Sequence, residues 1–178
     1  SGICGSQIGE INGVKGKDNF LPHLLGHEGT GIIINKNKYV KKFKIGDRVI
    51  LHWQKSEGYD SCSPNYFMGK KKINAGKVTT FNEFAVVSEN RITRIPKGIS
   101  EKQAVIFGCA LTTGFGAVVY DAKVKNNKSI LIFGAGGIGM SLIQILSLMK
   151  PKKIIIVDSN INKKKIIKKF KKKDFVLF

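Results

Sequence analysis

Residues 133–139, Phe133-Gly134-Ala135-Gly136-Gly137-Ile138-Gly139, carry the pattern that decides the fold, Gly-x-Gly-x-x-Gly. A continuous apolar run at 129–133 precedes this pattern, and a helical periodicity over 137–149 follows it. A second apolar run, 153–158, ends on Asp158. A glycine-rich turn between a buried strand and a helix, with an acidic residue at the end of the next strand, is typical of a dinucleotide-binding fingerprint.

Each glycine has a physical task in such a fingerprint. Gly134 permits the tight turn, Gly136 lets a pyrophosphate approach the backbone, and Gly139 lets the helix pack close to the strand. The free N–H groups at the start of the helix favour phosphate. Asp158 is expected to accept hydrogen bonds from ribose hydroxyls, so we expect NAD rather than NADP, because a 2′-phosphate would meet the carboxylate. Lys163 follows closely enough in the sequence to offset part of that repulsion.

The chain alternates strand and helix from residue 101 onward. Ser100 and Gln103 have the spacing of a capping box that opens a helix. A lysine-rich helix is predicted at 162–172, and a third strand at 174–178. This order of strands and helices predicts half of a doubly wound parallel sheet, an α/β fold.

The first hundred residues have a different pattern, in which short strands are separated by glycine turns. We expect these strands at 30–35, 49–53, 81–87 and 91–95. They predict a small, irregular β-barrel. Residues 56–78 are polar and rich in glycine, so we expect a long loop with a functional role there.

The composition excludes several classes of protein. The 178 residues are 42% hydrophobic and 24% charged, which suits a folded core. No window approaches the run of about 18 apolar residues that a membrane-spanning helix needs, and the first residues lack the pattern of a secretory signal. Three cysteines cannot build a disulfide framework. We therefore expect a cytoplasmic protein that contacts no membrane.

The charge is strongly basic, at +19 from 31 Lys and Arg against 12 Asp and Glu. Eleven lysines and two aspartates lie between Lys150 and the end of the chain. Residues 163–170 place apolar side chains on one helical face and lysines on the other. Surfaces that recognise nucleic acids usually combine arginine with aromatic residues, and here the cation is nearly always lysine. We do not expect a nucleic-acid partner, although a basic nucleic-acid-binding module remains an alternative.

A second group of residues has the chemistry of a metal site. His27 lies in Gly26-His27-Glu28-Gly29, and two cysteines, Cys4 and Cys109, are flanked by glycines. Two thiolates and an imidazole suit a catalytic zinc that keeps its fourth position open. Taken alone, His27 beside Glu28 favours a packed histidine with an exposed carboxylate over a metal ligand. Cys62 stands alone in the long loop, and His23 and His52 are expected to be structural.

The motifs follow one another in the order Cys4, 26–28, 46–49, 108–109 and 134–139. This order and spacing resemble those of zinc-dependent alcohol dehydrogenases, members of the medium-chain dehydrogenase/reductase family, over essentially the whole chain. The resemblance implies a GroES-like β-barrel catalytic domain at 1–110 and an incomplete Rossmann domain at 111–178. It also implies an NAD cofactor, a small-molecule alcohol substrate and a homo-oligomer, either a dimer or a tetramer.

The resemblance assigns roles to individual residues. Cys4, His27 and Cys109 become the ligands of one catalytic zinc, which lowers the pKa of the alcohol before hydride transfer. Glu28 lies next to the metal and exchanges with its solvent ligand, and Ser6 relays the alcohol proton. Thr113 packs against the nicotinamide. The implied cofactor-binding residues are Thr113, Gly134, Gly136, Gly137, Ile138, Gly139, Asp158 and Lys163.

The chain departs from the family in three respects. Gln7 stands where an aspartate usually orients the histidine ligand. The four cysteines of the family's structural zinc are missing, since residues 56–78 contain only Cys62. The chain is about half as long as its relatives, so we expect a fragment. An alternative is a zinc-free NAD(P)H reductase of the same superfamily, against which the three candidate ligands argue. The polar 56–78 segment favours a polyol or sugar-like alcohol.

Overall fold

A computed structural model describes residues 1–170 of the chain. The chain divides into two compact units, Ser1–Cys109 and the part from Ala110 onward. Within the described residues, no single helix is long and apolar enough to cross a membrane; only a bent pair, Glu101–Gly108 with Ala110–Asp121, reaches that length and apolarity.

The first unit combines short strands with short helices. Its elements are α1 (Gly5–Ile11), β1 (Glu28–Ile32), β2 (Arg48–His52), β3 (Tyr66–Met68), β4 (Lys71–Ile73), β5 (Ile92–Arg94) and α2 (Glu101–Ala104), with 3-10 turns at Glu89–Arg91 and Val105–Gly108. The strands β1, β2 and β5 form an antiparallel sheet in that order, and β3 pairs with β4 in a hairpin.

Strand β2 lies between β1 and β5 in the sheet, and both of its faces are buried. Val49 and Leu51 pack into a cluster with Phe43, Val78 and Ile92. Ile50, which lies between them in the strand, packs on the opposite face in a second cluster with Ile95 and Ala104. Successive side chains of a strand point to opposite faces, which explains why the sequence of β2 is a continuous apolar run rather than an alternation.

The structure corrects three expectations for the first unit. Residues 81–87 form no strand, because the Asn82 side chain accepts a hydrogen bond from Thr79 and donates one to the Phe84 carbonyl, holding the chain in a local turn. The 56–78 segment is not a plain loop, since it contains the β3–β4 hairpin. Among residues 1–109 the strands form a sheet and a hairpin and do not close into a barrel.

The second unit has a parallel pair of strands joined by a helix. Its described elements are α3 (Ala110–Gly116), a π-helical turn (Ala117–Asp121), β6 (Ser129–Phe133), α4 (Gly137–Leu148), β7 (Lys153–Val157) and α5 (Lys163–Ile167). Strands β6 and β7 pair in parallel, from Ser129 with Lys153 to Phe133 with Val157. Their core is aliphatic and includes Ile132, Ile143, Leu146, Ile154, Ile156 and Ile167.

The predicted strand and helix order is confirmed for the described part of this unit. The predicted strand at 129–133 is found with the same bounds. In the first unit, the predicted capping box of Ser100 and Gln103 opens α2 with both of its hydrogen bonds. The lysine-rich helix is shorter than predicted and ends at Ile167. The third strand, predicted at 174–178, lies outside the described residues.

Candidate metal centre and dinucleotide-binding loop

Three ligand-type side chains of the first unit converge on one point. The Sγ atoms of Cys4 and Cys109 are 3.8 Å apart, and the Nε2 atom of His27 is 3.3 Å from the Cys109 Sγ. The three ligand atoms all lie within 4.8 Å of one another. Tetrahedral zinc with bonds of about 2.3 Å to sulfur and 2.0–2.1 Å to nitrogen would separate two sulfurs by about 3.8 Å, and sulfur from nitrogen by about 3.5 Å. The side chains therefore fit one zinc ion.

Glycine backbone brings the histidine and the second cysteine to that point. Gly26, which precedes His27, has a φ of +91°, and a Cβ there would lie 2.8 Å from the backbone nitrogen of Phe81. Gly108 precedes Cys109, and a Cβ there would lie 2.6 Å from the Leu51 carbonyl oxygen. Neither position has room for a side chain, so both ligands are placed by close backbone packing.

Glu28 is a buried acid in the same region. It begins β1, and its Oε2 atom is buried with no hydrogen-bond partner among the described residues. A Cβ on Gly2 would lie 2.8 Å from the Glu28 carboxyl carbon, and one on Gly108 would lie 2.8 Å from the Glu28 Cβ. The side chain is thus held between the backbone that leads to Cys4 and the backbone that leads to Cys109. A buried carboxylate oxygen without a partner suits a nearby cation.

Ser6 and Gln7 lie on α1, directly after the first ligand. The Ser6 hydroxyl donates to the Cys4 Sγ at 3.4 Å, so it lies beside a ligand atom. The buried Gln7 amide, which stands where the family's aspartate usually orients the histidine ligand, makes no hydrogen bond to the His27 ring among the described residues. Its Oε1 accepts the backbone N–H of Gly26, and its Nε2 donates to Glu10.

The remaining cysteine and histidines lie elsewhere in the first unit. Cys62 is an exposed free thiol. His23 contacts Asp18 at 2.5 Å, and the buried His52 bonds the Gln54 carbonyl and the Thr93 hydroxyl. These three side chains are not part of the group of ligand-type residues.

The glycine-rich loop of the second unit has two kinds of glycine. Gly134 has a φ of +86°, and a Cβ on Gly139 would lie 1.9 Å from the Gly134 carbonyl oxygen, so the backbone requires glycine at both positions. Gly136 and Gly137 have open space where a Cβ would stand. They precede and begin α4, whose first N–H groups have no intrahelical partners. The arrangement leaves room for an anionic group at the start of α4.

Asp158 follows β7 and is buried against this loop. Its Oδ2 accepts the Ala135 N–H at 2.6 Å and the Lys163 ammonium at 2.7 Å, and its Oδ1 accepts the Asn160 N–H at 2.8 Å. The Lys163 ammonium lowers the pKa of Asp158 to about 2, and the two backbone N–H groups act in the same direction. The carboxylate is therefore ionised, and the chain itself supplies much of its hydrogen bonding.

Two further predicted cofactor residues are accessible on helices of the second unit. Thr113 is exposed on α3, and Ile138 is 40% exposed in the first turn of α4. Helix α3 packs against α4, and Gly114 makes this possible because a Cβ there would lie 2.8 Å from the Ser141 Cβ.

The sequence profile of the Alcohol dehydrogenase GroES-like domain family matches residues 1–97, more than half of the chain. The chain belongs to this family. All the helices and strands of the first unit lie within the matched residues, except α2 and the 3-10 turn before Cys109.

Several curated and solved proteins that resemble this GroES-like chain are dehydrogenases. Alcohol dehydrogenase 6 of Peromyscus maniculatus is 31% identical, over 92% of this chain and 50% of that protein. Benzyl alcohol dehydrogenase of Acinetobacter calcoaceticus has the same fold, with a TM-score of 0.82 at 23% identity, over 99% of this chain and 54% of that one. Galactitol-1-phosphate dehydrogenase of Escherichia coli gives a TM-score of 0.74 at 25% identity, over 98% and 51%. The chain spans about half the length of the curated relatives it matches.

Two residues that support these sites were not predicted from the sequence. Glu10 holds the Gln7 amide, and its signal was the three-residue spacing of Gln7 and Glu10 on a helix that was not predicted. Asn160 donates its N–H to the Asp158 side chain two residues earlier, an Asx turn that the Asp-Ser-Asn sequence already favours.

Proposed function

We propose that this chain is part of a zinc-dependent oxidoreductase that transfers a hydride between an alcohol and NAD. The observation that carries the proposal is the convergence of Cys4, His27 and Cys109 at separations that suit tetrahedral zinc. We assign residues 1–110 to the zinc-binding catalytic domain and 111–178 to the dinucleotide-binding domain.

The residues of the first unit divide the work at the metal centre. When bound, zinc supplies a Lewis acid and NAD supplies the hydride acceptor. Cys4, His27 and Cys109 hold the metal and leave one position open. Ser6 relays the proton of the alcohol hydroxyl: its Oγ, which lies next to the Cys4 Sγ, accepts that proton while its own hydroxyl proton passes to water. Glu28 would balance the charge of a bound zinc with its unpartnered Oε2 and would exchange with the solvent ligand of the metal.

The residues of the second unit bind and orient the dinucleotide. The pyrophosphate binds against the backbone at Gly136 and Gly137, because no side chain fills the space there. Asp158 accepts a ribose hydroxyl with the remaining capacity of its Oδ1. Thr113 and Ile138 pack against the nicotinamide end, and the glycines at 134 and 139 keep the turn tight. Lys163 holds the Asp158 carboxylate in place.

A polyol or sugar-like alcohol is the substrate class we propose. The polar character of residues 56–78 supports it, as does the similarity to galactitol-1-phosphate dehydrogenase. The family resemblance supports a homo-oligomer. An alcohol and sugar-alcohol screen of the full-length protein, which follows NADH absorbance with zinc and NAD present, identifies the substrate.

Metal analysis tests the proposal most directly. We expect one zinc per chain, and Cys4→Ser or His27→Ala to remove most of it, because loss of one ligand from a three-ligand site leaves the ion underbound. Cys62→Ser is the matched control and keeps the full metal content, since this thiol is exposed and outside the group. Protein that contains no zinc and gains none on titration would falsify the proposal.

A further inference from the structure

A buried amide links α1 to the backbone beside the histidine ligand. Gln7 is only 6% exposed, and its Oε1 accepts the N–H of Gly26, the residue before His27. Its Nε2 donates to the Glu10 Oε2 at 2.5 Å. Residues three apart on a helix lie on the same face, so α1 presents this pair together.

Glu10 fixes which way the Gln7 amide points. A backbone N–H can only donate, and an ionised carboxylate can only accept. The amide has one oxygen and one NH2 group, so only one of its two orientations satisfies Gly26 and Glu10 at once. The other Glu10 oxygen receives the Lys15 ammonium at 3.0 Å on the exposed side.

The Gly26 backbone is where this hydrogen bond can act on the ligand. Gly26 is buried, has a left-handed φ of +91° and has no room for a Cβ between Thr80 and Phe81. Its N–H orientation therefore determines how the following residue, His27, leaves the turn. No hydrogen bond joins Gln7 to the His27 ring among the described residues.

We propose that Gln7 and Glu10 are a positioning pair for the metal centre, acting on His27 through the Gly26 backbone. The inference rests on the proposed zinc site. Glu10 orients the Gln7 amide, the amide fixes the Gly26 N–H, and the turn holds the imidazole toward Cys4 and Cys109. Groups that orient ligands in this way typically change metal affinity 10–100-fold when they are removed.

The test exchanges the two side chains. Gln7→Glu places two carboxylates together and Glu10→Ala frees the amide, so each variant alone is expected to lower zinc affinity about 10–100-fold. The double variant Gln7→Glu/Glu10→Gln keeps both hydrogen bonds, because the new carboxylate accepts from Gly26 and from the new amide. We expect it to restore wild-type zinc affinity. Glu83→Gln is the control that leaves affinity unchanged, since Glu83 is exposed and unpaired among the described residues.

Zinc affinity is measured by competition with a chromophoric chelator, and the absorption spectrum of the Co²⁺-loaded chain reports ligand geometry. Thermal unfolding without metal shows whether each variant folds. If a single variant does not fold, the double variant Gln7→Glu/Glu10→Gln still tests the inference. Single variants with wild-type affinity and spectrum would overturn this inference alone. An exchange that fails to restore affinity would also overturn it. A wild-type chain that binds no zinc would overturn the metal centre as well.

Discussion

Gly139→Ala is expected to destabilise the dinucleotide-binding loop through a steric clash within its own backbone. The added Cβ would lie 1.9 Å from the Gly134 carbonyl oxygen and 2.9 Å from its carbon. Non-bonded contacts begin near 3.5 Å, so the two backbones must separate by roughly 1.5 Å. The clash is with backbone, so no flexible side chain can yield.

The cost follows from the balance of two effects. Overpacking typically costs about 1–3 kcal/mol, and a backbone clash belongs at the upper end. Alanine gains about 1 kcal/mol over glycine in a helix, which offsets part of this. The net loss is about 2 kcal/mol, which lowers the Tm of a unit this small by roughly 8–16 °C.

Gly137→Ala is the matched control in the same helix. Nothing lies within 4 Å of the Cβ it would add, so we expect unchanged stability or a gain of up to about 1 kcal/mol. Thermal and urea unfolding of the two variants measure the difference. If Gly139→Ala is as stable as Gly137→Ala, the packing of α4 against the loop is not what requires glycine at 139.

Three further outcomes can be measured. Gly108→Ala should lower both the stability, by about 1–3 kcal/mol, and the zinc affinity, because its Cβ would lie 2.6 Å from the Leu51 carbonyl oxygen. Unfolding measures the stability and metal titration measures the affinity. Wild-type values for both would contradict the placement of Cys109 by backbone packing. Asp158→Ser should shift dinucleotide binding toward NADP, and Lys163→Met should strengthen the preference for NAD, as compared by fluorescence titration with NADH and NADPH; a wild-type preference for NADPH would refute the role of Asp158. Because the folded pKa of Asp158 is about 2, below its ordinary 3.8, its contribution to stability is complete above about pH 4 and is lost as the pH falls through about 2. Acid unfolding of Asp158→Asn should therefore show a smaller loss of stability over that interval than the wild type.

Strands whose local signals agree were predicted well. The runs at 129–133 and 153–158 are apolar, rich in β-branched residues and bounded by turns, and the structure has strands at Ser129–Phe133 and Lys153–Val157. The 81–87 segment has similar composition but no strand, because Asn82 hydrogen-bonds the local backbone. Composition alone does not show that side-chain hydrogen bonds to the local backbone compete with strand pairing.

Helices without start signals were missed. Helix α1 follows Cys4, which makes no side-chain capping bond, and α3 begins directly after Cys109. The β3–β4 hairpin was missed because polar lysines occupy β4, although Gly69 has the positive φ of a tight turn. The ligand types and their order could be predicted from the sequence, whereas the Gln7–Glu10 contact required the helix that was missed.

The candidate metal centre is placed by backbone packing more than by side-chain hydrogen bonds. His27 follows a glycine with a left-handed φ and no room for a Cβ, and Cys109 follows a glycine pressed against the Leu51 carbonyl. Steric limits of this kind do not depend on surface composition. A chain with a net charge of +19 can therefore accumulate lysines over its surface and still bring two thiols and an imidazole to the same point. The Gln7 amide adds the one polar contact that the turn before His27 requires, because the buried Gly26 N–H needs an acceptor.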